Sequence, residues 1–192
     1  RDVLGSRGLG DVYKRQKMFP VIIALIFTPI LVKKTGSMQK VNFWGYVISD
    51  ILGIFLIIFA MQKNLPMMLL FMFLKGTFAG TMSGTLNALI AEISGYTYRT
   101  KGVHIDGMMF SCSSLGVKVG GGIGTAAVGW LLHAAGYAGK AATQTAAATN
   151  MIFSMYITIP VILGVVITIL LGLMKVEKEN KRIDMERAEQ AD

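Results

Sequence analysis

The hydrophobic positions of the chain fall into five long runs that are separated by short polar connectors. The runs cover residues 18–32, 41–61, 65–93, 105–135 and 151–174. An α-helix needs about 20 apolar residues to cross the hydrocarbon layer of a membrane, and most of these runs reach or exceed that length. The pattern predicts an all-α fold, a polytopic transmembrane helix bundle with five spans.

Three of the runs should depart from a single straight span. The first is short and contains Pro20 and Pro29, so we expect it to be kinked or cut off at its start. The third and fourth, residues 65–93 and 105–135, are longer than one span needs. We therefore expect them to tilt or to continue into the membrane interface.

Both ends of the chain are polar. Residues 1–16 have no apolar core and no helical periodicity, and they look like translated sequencing-adapter remnants. We expect them to be a non-native leader, with a native hydrophilic loop as the alternative, and we expect the natural protein to begin upstream. Residues 175–192 mix charges of both signs at high density, which predicts a charged cytoplasmic tail, either a solvated helix or a disordered end.

The composition is that of a membrane protein. Hydrophobic residues make up 53% of the 192 residues and charged residues only 16%, with a mean hydropathy of +0.56. Soluble domains carry about 25% charged residues, so disorder, a coiled coil and an ordinary soluble enzyme are disfavoured. The single cysteine, Cys112, excludes an internal disulfide and a Cys-based zinc site. The net charge is +8, but the Lys and Arg residues that carry it form no dense basic cluster, so the charge does not indicate nucleic-acid binding.

The Lys and Arg residues mark one face of the membrane. With five spans, the connectors 33–40 and 94–104 lie on the same side as the C-terminal tail, and together they hold most of the Lys and Arg residues. The opposite side has Lys17, Lys63 and Lys140. Because cytoplasmic loops carry the excess of Lys and Arg, we expect a multi-pass protein of the cell membrane whose C-terminus is cytoplasmic.

Three charged side chains lie deep in the apolar runs, where each costs at least about 2.5–3.5 kcal/mol. From a rise of roughly 1.5 Å per residue, Lys118, Asp50 and Lys75 lie about 16, 12 and 15 Å inside one end of their helices. The depths of Asp50 and Lys75 nearly match in a layer about 30 Å thick. We expect a substrate or cation cavity at these three residues, and a structural Asp50–Lys75 ion pair is an equal alternative.

Two of the runs carry glycines that are four residues apart. They are Gly76, Gly80 and Gly84 in the third run, and Gly116, Gly120 and Gly124 in the fourth. This spacing places small residues on one helix face, which permits close contact between helices. A phosphate-binding loop is a poor alternative, because no strand precedes the glycines and no Lys-Ser or Lys-Thr pair follows them.

Neither a metal site nor an active site is expected. His104 and His133 lie near opposite membrane faces, so they cannot share a metal. An enzyme using His104, Asp106 and Ser111 needs them on one helix face, whereas helical steps put them at about 0, 200 and 340 degrees. Asp106 would then point away from the other two, and we predict no catalytic residue, no enzyme activity and no cofactor.

Residues 86–137 carry a family signature. They read LNALIAEISGYTYRTKGVHIDGMMFSCSSLGVKVGGGIGTAAVGWLLHAAGY: a small-polar helix ending in Ala and an acid, a Tyr/Arg/Thr/Gly loop, then Asp-Gly-x-x-Phe-Ser and a Lys amid glycines. This stretch closely resembles the C-terminal half of the glycoside-pentoside-hexuronide cation symporters, the melibiose-permease-like branch of the major facilitator superfamily. The resemblance implies that residues 17–174 correspond to helices eight to twelve of a twelve-helix fold.

The resemblance further implies a fragment of a secondary active transporter that carries a sugar or glycoside with a cation, Na+ or H+. Transport would proceed by alternating access about a midplane site. The partners implied are the sugar, the lipid bilayer and the missing N-terminal helices of the same protein. The alternative is a self-sufficient small five-helix membrane subunit with a structural or regulatory role, which would have a start codon near Lys17.

Four residues take roles from this resemblance. Glu92 at the cytoplasmic end of helix ten, Arg99 in the loop after it and Asp106 at the start of helix eleven would form a cytoplasmic gate. Lys118 would face the central cavity near the sugar and cation sites.

The chain departs from the family pattern at two positions near this gate. Gly95 replaces an acidic residue that is common in the family, and His104 stands where Arg is usual. His104 would therefore make the charge network of the gate weaker or pH-sensitive, because histidine titrates near neutrality.

Overall fold

The structure is a computed structural model that describes residues 6–62, 64–139 and 144–189, without side-chain detail for 6–17, 187 and 188. The described part consists of helices and contains no strand. They are α1 (Ser6–Thr35), α2 (Met38–Met61), α3 (Leu65–Ala79), α4 (Thr81–Lys101), α5 (Asp106–Ala134), α6 (Ala146–Phe153), α7 (Ile159–Leu173) and α8 (Val176–Glu189). Five helical stretches are long and apolar enough to cross a membrane, which confirms the predicted all-α transmembrane fold.

The first helix begins before its apolar run. α1 starts at Ser6 and continues through Pro20 and Pro29 as one helix, so part of residues 1–16 is helical although it lacks helical periodicity. Apolar periodicity reports a buried helix face, and a helix can continue beyond that face. The non-native origin of residues 1–16 stays a prediction. Outside the described residues lie 1–5, Lys63, 140–143 with Lys140, and 190–192.

Glycines in the left-handed conformation end two of the helices. Gly36 (φ 63°) follows α1, and Gly102 (φ 68°) follows α4, where its N–H donates to the Tyr98 carbonyl at 2.8 Å. Glycine adopts this conformation without the strain that a β-carbon causes. Directly after Gly36, Ser37 caps α2 by accepting a hydrogen bond from the Lys40 N–H at 3.1 Å. These turns produce short connectors of the kind that the sequence predicts.

The third predicted span is divided at Gly80 into α3 and α4, and its glycines face α1. A β-carbon would lie 3.3 Å from Pro20 if placed on Gly76, 2.8 Å from Ala24 if placed on Gly80, and 3.1 Å from Leu25 if placed on Gly84. The predicted small-residue face is therefore a close helix contact, and the absence of side chains allows it.

The same glycine spacing on α5 has no such partner. No residue of α5 is buried, and a β-carbon on Gly116, Gly120 or Gly124 would meet no described atom within 4 Å. The close helix contact that this spacing permits is therefore not made within the described part of the chain. Glycine spacing permits a close contact, but a partner helix must also be present to make it.

The second helix is the centre of the bundle, since α1, α3, α4 and α7 all pack against it. Its buried residues are mostly small or polar: Val41, Asn42, Gly45, Ser49, Asp50, Gly53 and Leu56. Small residues allow the neighbouring backbones to come close, while the polar side chains need partners on those neighbours.

The fifth predicted span contains a wider turn. α6 passes into α7 through a π-helical turn at Ser154–Thr158, and Pro160 lies in the first turn of α7. Proline has no amide hydrogen and its ring displaces a preceding carbonyl, which a π-helical turn accommodates. α7 ends at Leu173 and α8 begins at Val176. After this break α8 packs against α4, so the charged tail is a helix that docks on the bundle.

The glycine contact with α1 generates a stability prediction with an internal control. Gly80→Ala should lower the free energy of unfolding by about 1–3 kcal/mol, because its β-carbon would overlap Ala24. Gly120→Ala, the same change where no neighbour lies within 4 Å, should leave that free energy unchanged or slightly higher. Reversible unfolding of the chain in detergent micelles measures both, and equal effects of the two substitutions would contradict the contact.

Candidate functional site

Asp50 is a buried carboxylate between α2 and α7. Asp50 is only 8% exposed, and the Thr168 hydroxyl donates a hydrogen bond to its Oδ2 at 2.7 Å. Its Oδ1 is buried and has no hydrogen-bond partner among the described residues. The carboxylate packs directly against Gly164, where it occupies the space that a β-carbon would need.

Lys75 approaches the same region from α3. Its aliphatic stem crosses α2 at Gly53, where a β-carbon would lie 3.2 Å from the Lys75 Cε. One turn earlier, the Ser49 hydroxyl donates to the Lys75 carbonyl at 3.2 Å. The Lys75 nitrogen and the Asp50 carboxylate oxygens do not approach within the 4.0 Å of an ion pair. The alternative of a direct Asp50–Lys75 ion pair is therefore not realised, because the Asp50 carboxylate turns to Thr168 instead.

Lys75 also lines a cavity of about 400 Å³. Other lining residues come from α2, α3, α5 and the last span: Leu56, Gly76, Val128, Met155 and Tyr156. The walls are mostly apolar, with Lys75 and Tyr156 as the groups able to hydrogen-bond through their side chains. This arrangement resembles a ligand site, in which a few polar groups orient a molecule inside an apolar pocket.

Lys118 is not brought to the other two charged residues. It lies on α5, is exposed, and forms no hydrogen bond or ion pair with Asp50 or Lys75 in the described part of the chain. Of the three predicted cavity residues, Asp50 and Lys75 are therefore neighbours in this structure, whereas Lys118 lies apart from them.

Two of the four predicted gate residues contact the C-terminal helix. The Arg99 guanidinium lies 2.6 Å from Asp184 Oδ1, and the Asn180 side-chain amide donates to the Glu92 carbonyl at 3.2 Å. The Oε2 atom of Glu92 is buried and has no hydrogen-bond partner among the described residues. α4 and α8 are thus held together at two points one or more turns apart.

The other two predicted gate residues form a separate exposed pair. His104 Nδ1 lies 3.8 Å from Asp106 Oδ2, and the His104 ring stacks on Tyr98 with centroids 4.0 Å apart. The expectation that Asp106 points away from His104 is wrong, because it assumed a continuous helix. Gly102 ends α4 and α5 begins only at Asp106, so helical angles do not apply across this turn.

Sequence reasoning missed the contribution of α8. Glu177 is only 7% exposed, and its carboxylate accepts hydrogen bonds from the Gln39 N–H at 2.9 Å and from Lys181 Nζ at 3.1 Å. Lys181 also donates to the Gly36 carbonyl at 2.6 Å. The spacing of Glu177 and Lys181 by four residues was the available signal, but it indicates only a helical ion pair. It contains no information on the docking partner.

The α8 contacts place the turn after α1, the C-terminal end of α4 and the tail at one end of the bundle. These are the segments that the sequence assigned to one side of the membrane.

In the part of the chain that the structure describes, no group of three or more His, Cys, Asp or Glu residues could hold a metal ion.

Comparison with known proteins identifies a transport family. Residues 1–178 match the family described as MFS/sugar transport protein. The chain is 27% identical to an uncharacterized 29.9 kDa protein from the region 3′ of crtE in Pseudescherichia vulneris, over 68% of the chain and 48% of that protein. It is 28% identical to the isoprimeverose transporter of Lactiplantibacillus pentosus, over 82% of the chain and 32% of the transporter.

A third relative is YagG of Escherichia coli (strain K12), named provisionally as a glycoside/cation symporter. It is 28% identical over 54% of the chain and 24% of its own length. No solved structure matches the chain. The chain covers less than half the length of each of these three relatives.

These matches agree with the resemblance found in residues 86–137 and confirm membership of a transport family rather than of an enzyme family. The five apolar helical stretches are those of a multi-pass membrane protein. Because the family match extends over residues 1–178, the chain belongs to the MFS/sugar transport protein family.

Proposed function

We propose that this chain forms the C-terminal helices of a sugar:cation symporter that works by alternating access about a midplane site. Family membership and the name of the isoprimeverose transporter support sugar transport. The name of YagG supports a glycoside as the class of substrate and a cation as the coupled ion. The exposure of α5 supports a fragment rather than a self-sufficient subunit. A membrane helix without any buried residue is one that further helices of the same protein would cover.

The observation that carries the proposal is the half-satisfied carboxylate of Asp50. In a membrane protein, each unsatisfied polar group in the hydrocarbon region costs several kcal/mol, so such groups mark ion and substrate pathways. Thr168 satisfies Oδ2 while Oδ1 has no partner among the described residues. A bound cation, Na+ or H+, would offset this cost at Oδ1.

The proposed cavity extends from Asp50 to Lys75 and Lys118. Lys75 lines the pocket of about 400 Å³, where its ammonium group would donate hydrogen bonds to sugar hydroxyls. Lys118 lies on the uncovered face of α5 and would join this cavity when the remaining helices of the transporter pack against that face.

The proposed gate is the contact between α4 and α8, with the His104–Asp106 pair beside it. In one state Glu92 and Arg99 hold α8 through Asn180 and Asp184. In the other state these contacts separate and open the cavity to the cytoplasm. This arrangement requires the C-terminus to be cytoplasmic, an orientation that the distribution of Lys and Arg supports.

Substitution of the buried carboxylate tests the cation site. In the complete transporter, Asp50→Asn should lower cation-driven sugar accumulation by at least about tenfold, the equivalent of 1.4 kcal/mol of lost coupling. Sugar counterflow, which needs no net cation movement, should change by less than about threefold. Uptake of a labelled glycoside into cells with and without an ionophore measures both quantities.

Ser49→Ala is the matched control, because Ser49 is a buried neighbour on α2 whose loss removes a hydrogen bond but no charge. It should leave accumulation nearly unchanged. If Asp50→Asn accumulates sugar as well as the unaltered transporter, Asp50 does not bind the coupled cation.

Charge reversal tests the gate contact. Arg99→Asp and Asp184→Arg should each place like charges together and raise amide hydrogen exchange in α8 by about threefold, as expected for an exposed ion pair. The double reversal should restore the slow exchange, because it re-forms the pair with opposite polarity. Lys101→Asp is the control and should leave exchange in α8 unchanged, since Lys101 is an exposed residue of α4 that has no ion pair among the described residues. Additive effects of the two reversals would show that Arg99 and Asp184 do not interact.

A further inference from the structure

A groove of about 490 Å³ lies between the start of α2 and the junction of α7 with α8. Its walls combine basic side chains, Lys40, Lys175 and Lys178, with the apolar residues Phe43 and Leu171 and with Gly172. None of the cavity and gate residues described above lines it. The groove is therefore separate from the proposed transport site, and its role does not depend on that proposal.

Three lysines of the groove are available to a ligand. Lys40, Lys175 and Lys178 are exposed, and none of them has an ion pair within 4.0 Å in the described part of the chain. Lys181, which also lines the groove, is instead held by Glu177 and the Gly36 carbonyl. The groove thus presents a net positive charge from two helices that face each other.

The one carboxylate in the groove does not cancel this charge. Glu177 accepts from the Gln39 N–H through Oε2 and from Lys181 through Oε1. Its negative charge therefore stabilises the N-terminus of α2 and one lysine, which leaves the three other lysines without an anion among the described residues.

The residues around the groove are those expected where the apolar core of a membrane gives way to charged headgroups. α7 ends at Leu173, and its apolar run ends at Met174, directly before Lys175. Trp44, which is 60% exposed, lies next to Phe43 with their rings 5.8 Å apart, and exposed tryptophan is typical of the membrane interface. A ligand in this groove would therefore contact lipid tails on one side and lysines on the other.

Hydrogen bonds hold the shape of the groove. The Gln39 side-chain amide donates to the Leu171 carbonyl at 2.9 Å and also to the Met174 carbonyl. Phe43 packs against Gly172, where a β-carbon would lie 3.2 Å from the ring. The end of α7, which would otherwise leave carbonyls unsatisfied, is thereby fixed against α2, and the groove is formed before a ligand arrives.

We propose that this groove binds the headgroup phosphate of an anionic phospholipid. Three lysine ammonium groups provide the charge that a phosphate requires, and the apolar wall of Phe43 and Leu171 matches the glycerol backbone and the first acyl carbons. Basic pockets between membrane helices bind anionic lipid headgroups in this way. A free phosphate in water would gain nothing from the apolar wall.

The test uses the full chain in detergent micelles with the substitution Trp130→Phe. Because the chain has only two tryptophans, Trp44 then reports alone on the groove. Titration with phosphatidylglycerol that carries bromine near the headgroup end of its acyl chains should quench Trp44 fluorescence at low mole fraction. Brominated phosphatidylcholine should require at least about tenfold more lipid, since each lysine adds about 1 kcal/mol of attraction to an anionic headgroup.

Two triple variants separate a built site from general surface charge. Lys40→Gln, Lys175→Gln and Lys178→Gln together should weaken phosphatidylglycerol quenching at least about tenfold. The control removes the same charge from exposed lysines that do not line the groove, Lys33→Gln, Lys34→Gln and Lys101→Gln, and it should shift quenching less than about twofold.

Three results would overturn the proposal. Equal weakening in both triple variants would show attraction by diffuse surface charge. Equal quenching by the two lipids would show that the headgroup charge is not recognised. Complete competition by inorganic phosphate at millimolar concentration would show a site for a free anion rather than a lipid.

Discussion

The bundle depends on the absence of water around α2. A polar group in the hydrocarbon region must find its hydrogen-bond partner within the protein, and α2 carries three such side chains on its buried surface. Asn42 bonds the Thr85 hydroxyl of α4 at 2.7 Å, Ser49 bonds a carbonyl of α3, and Asp50 accepts from Thr168 of α7. Each polar residue thus fixes a different neighbour, which explains why α2 is the central helix.

Small residues make these hydrogen bonds geometrically possible. Gly45 and Gly53 on α2 and Gly164 on α7 leave no space for a β-carbon beside the helices they face. The backbones can therefore approach to the distance that a short hydroxyl or carboxylate spans. Close helix packing and hydrogen bonding of the buried polar side chains therefore depend on each other. At Asp50 the packing is close, but the hydrogen bonding of the carboxylate is only partly satisfied. A carboxylate oxygen that lacks a donor among the described residues is the link that we propose between the fold and transport.

The break between α7 and α8 organises the charged end of the bundle. By turning the tail back, it brings Glu177 to the N-terminus of α2 and Asp184 to Arg99 on α4. The lysine-lined groove lies at the same break, between the start of α2 and the junction of α7 with α8. One local change of direction therefore creates both the proposed gate contact and the proposed lipid site, and neither is visible in the helical pattern of the tail.

The sequence by itself determined the spans, the turns and the family. Apolar length decides which segments enter a membrane, and left-handed glycines such as Gly36 and Gly102 end helices through local backbone geometry. The depths of Asp50 and Lys75 also follow from position along a helix, so their neighbourhood was predictable. The signature in residues 86–137 is likewise a property of the chain alone.

Only the tertiary structure decided which groups meet. Glycines four residues apart occur in two spans, yet among the described residues those of α3 and α4 contact another helix and those of α5 do not, because α1 lies against α3 and α4. Arg99 pairs with Asp184, a residue 85 positions away, and Asp50 turns to Thr168 rather than to Lys75. Spacing along one helix defines a face. The partner of that face depends on how helices that are distant in sequence pack together, and a local sequence pattern contains no information about that packing.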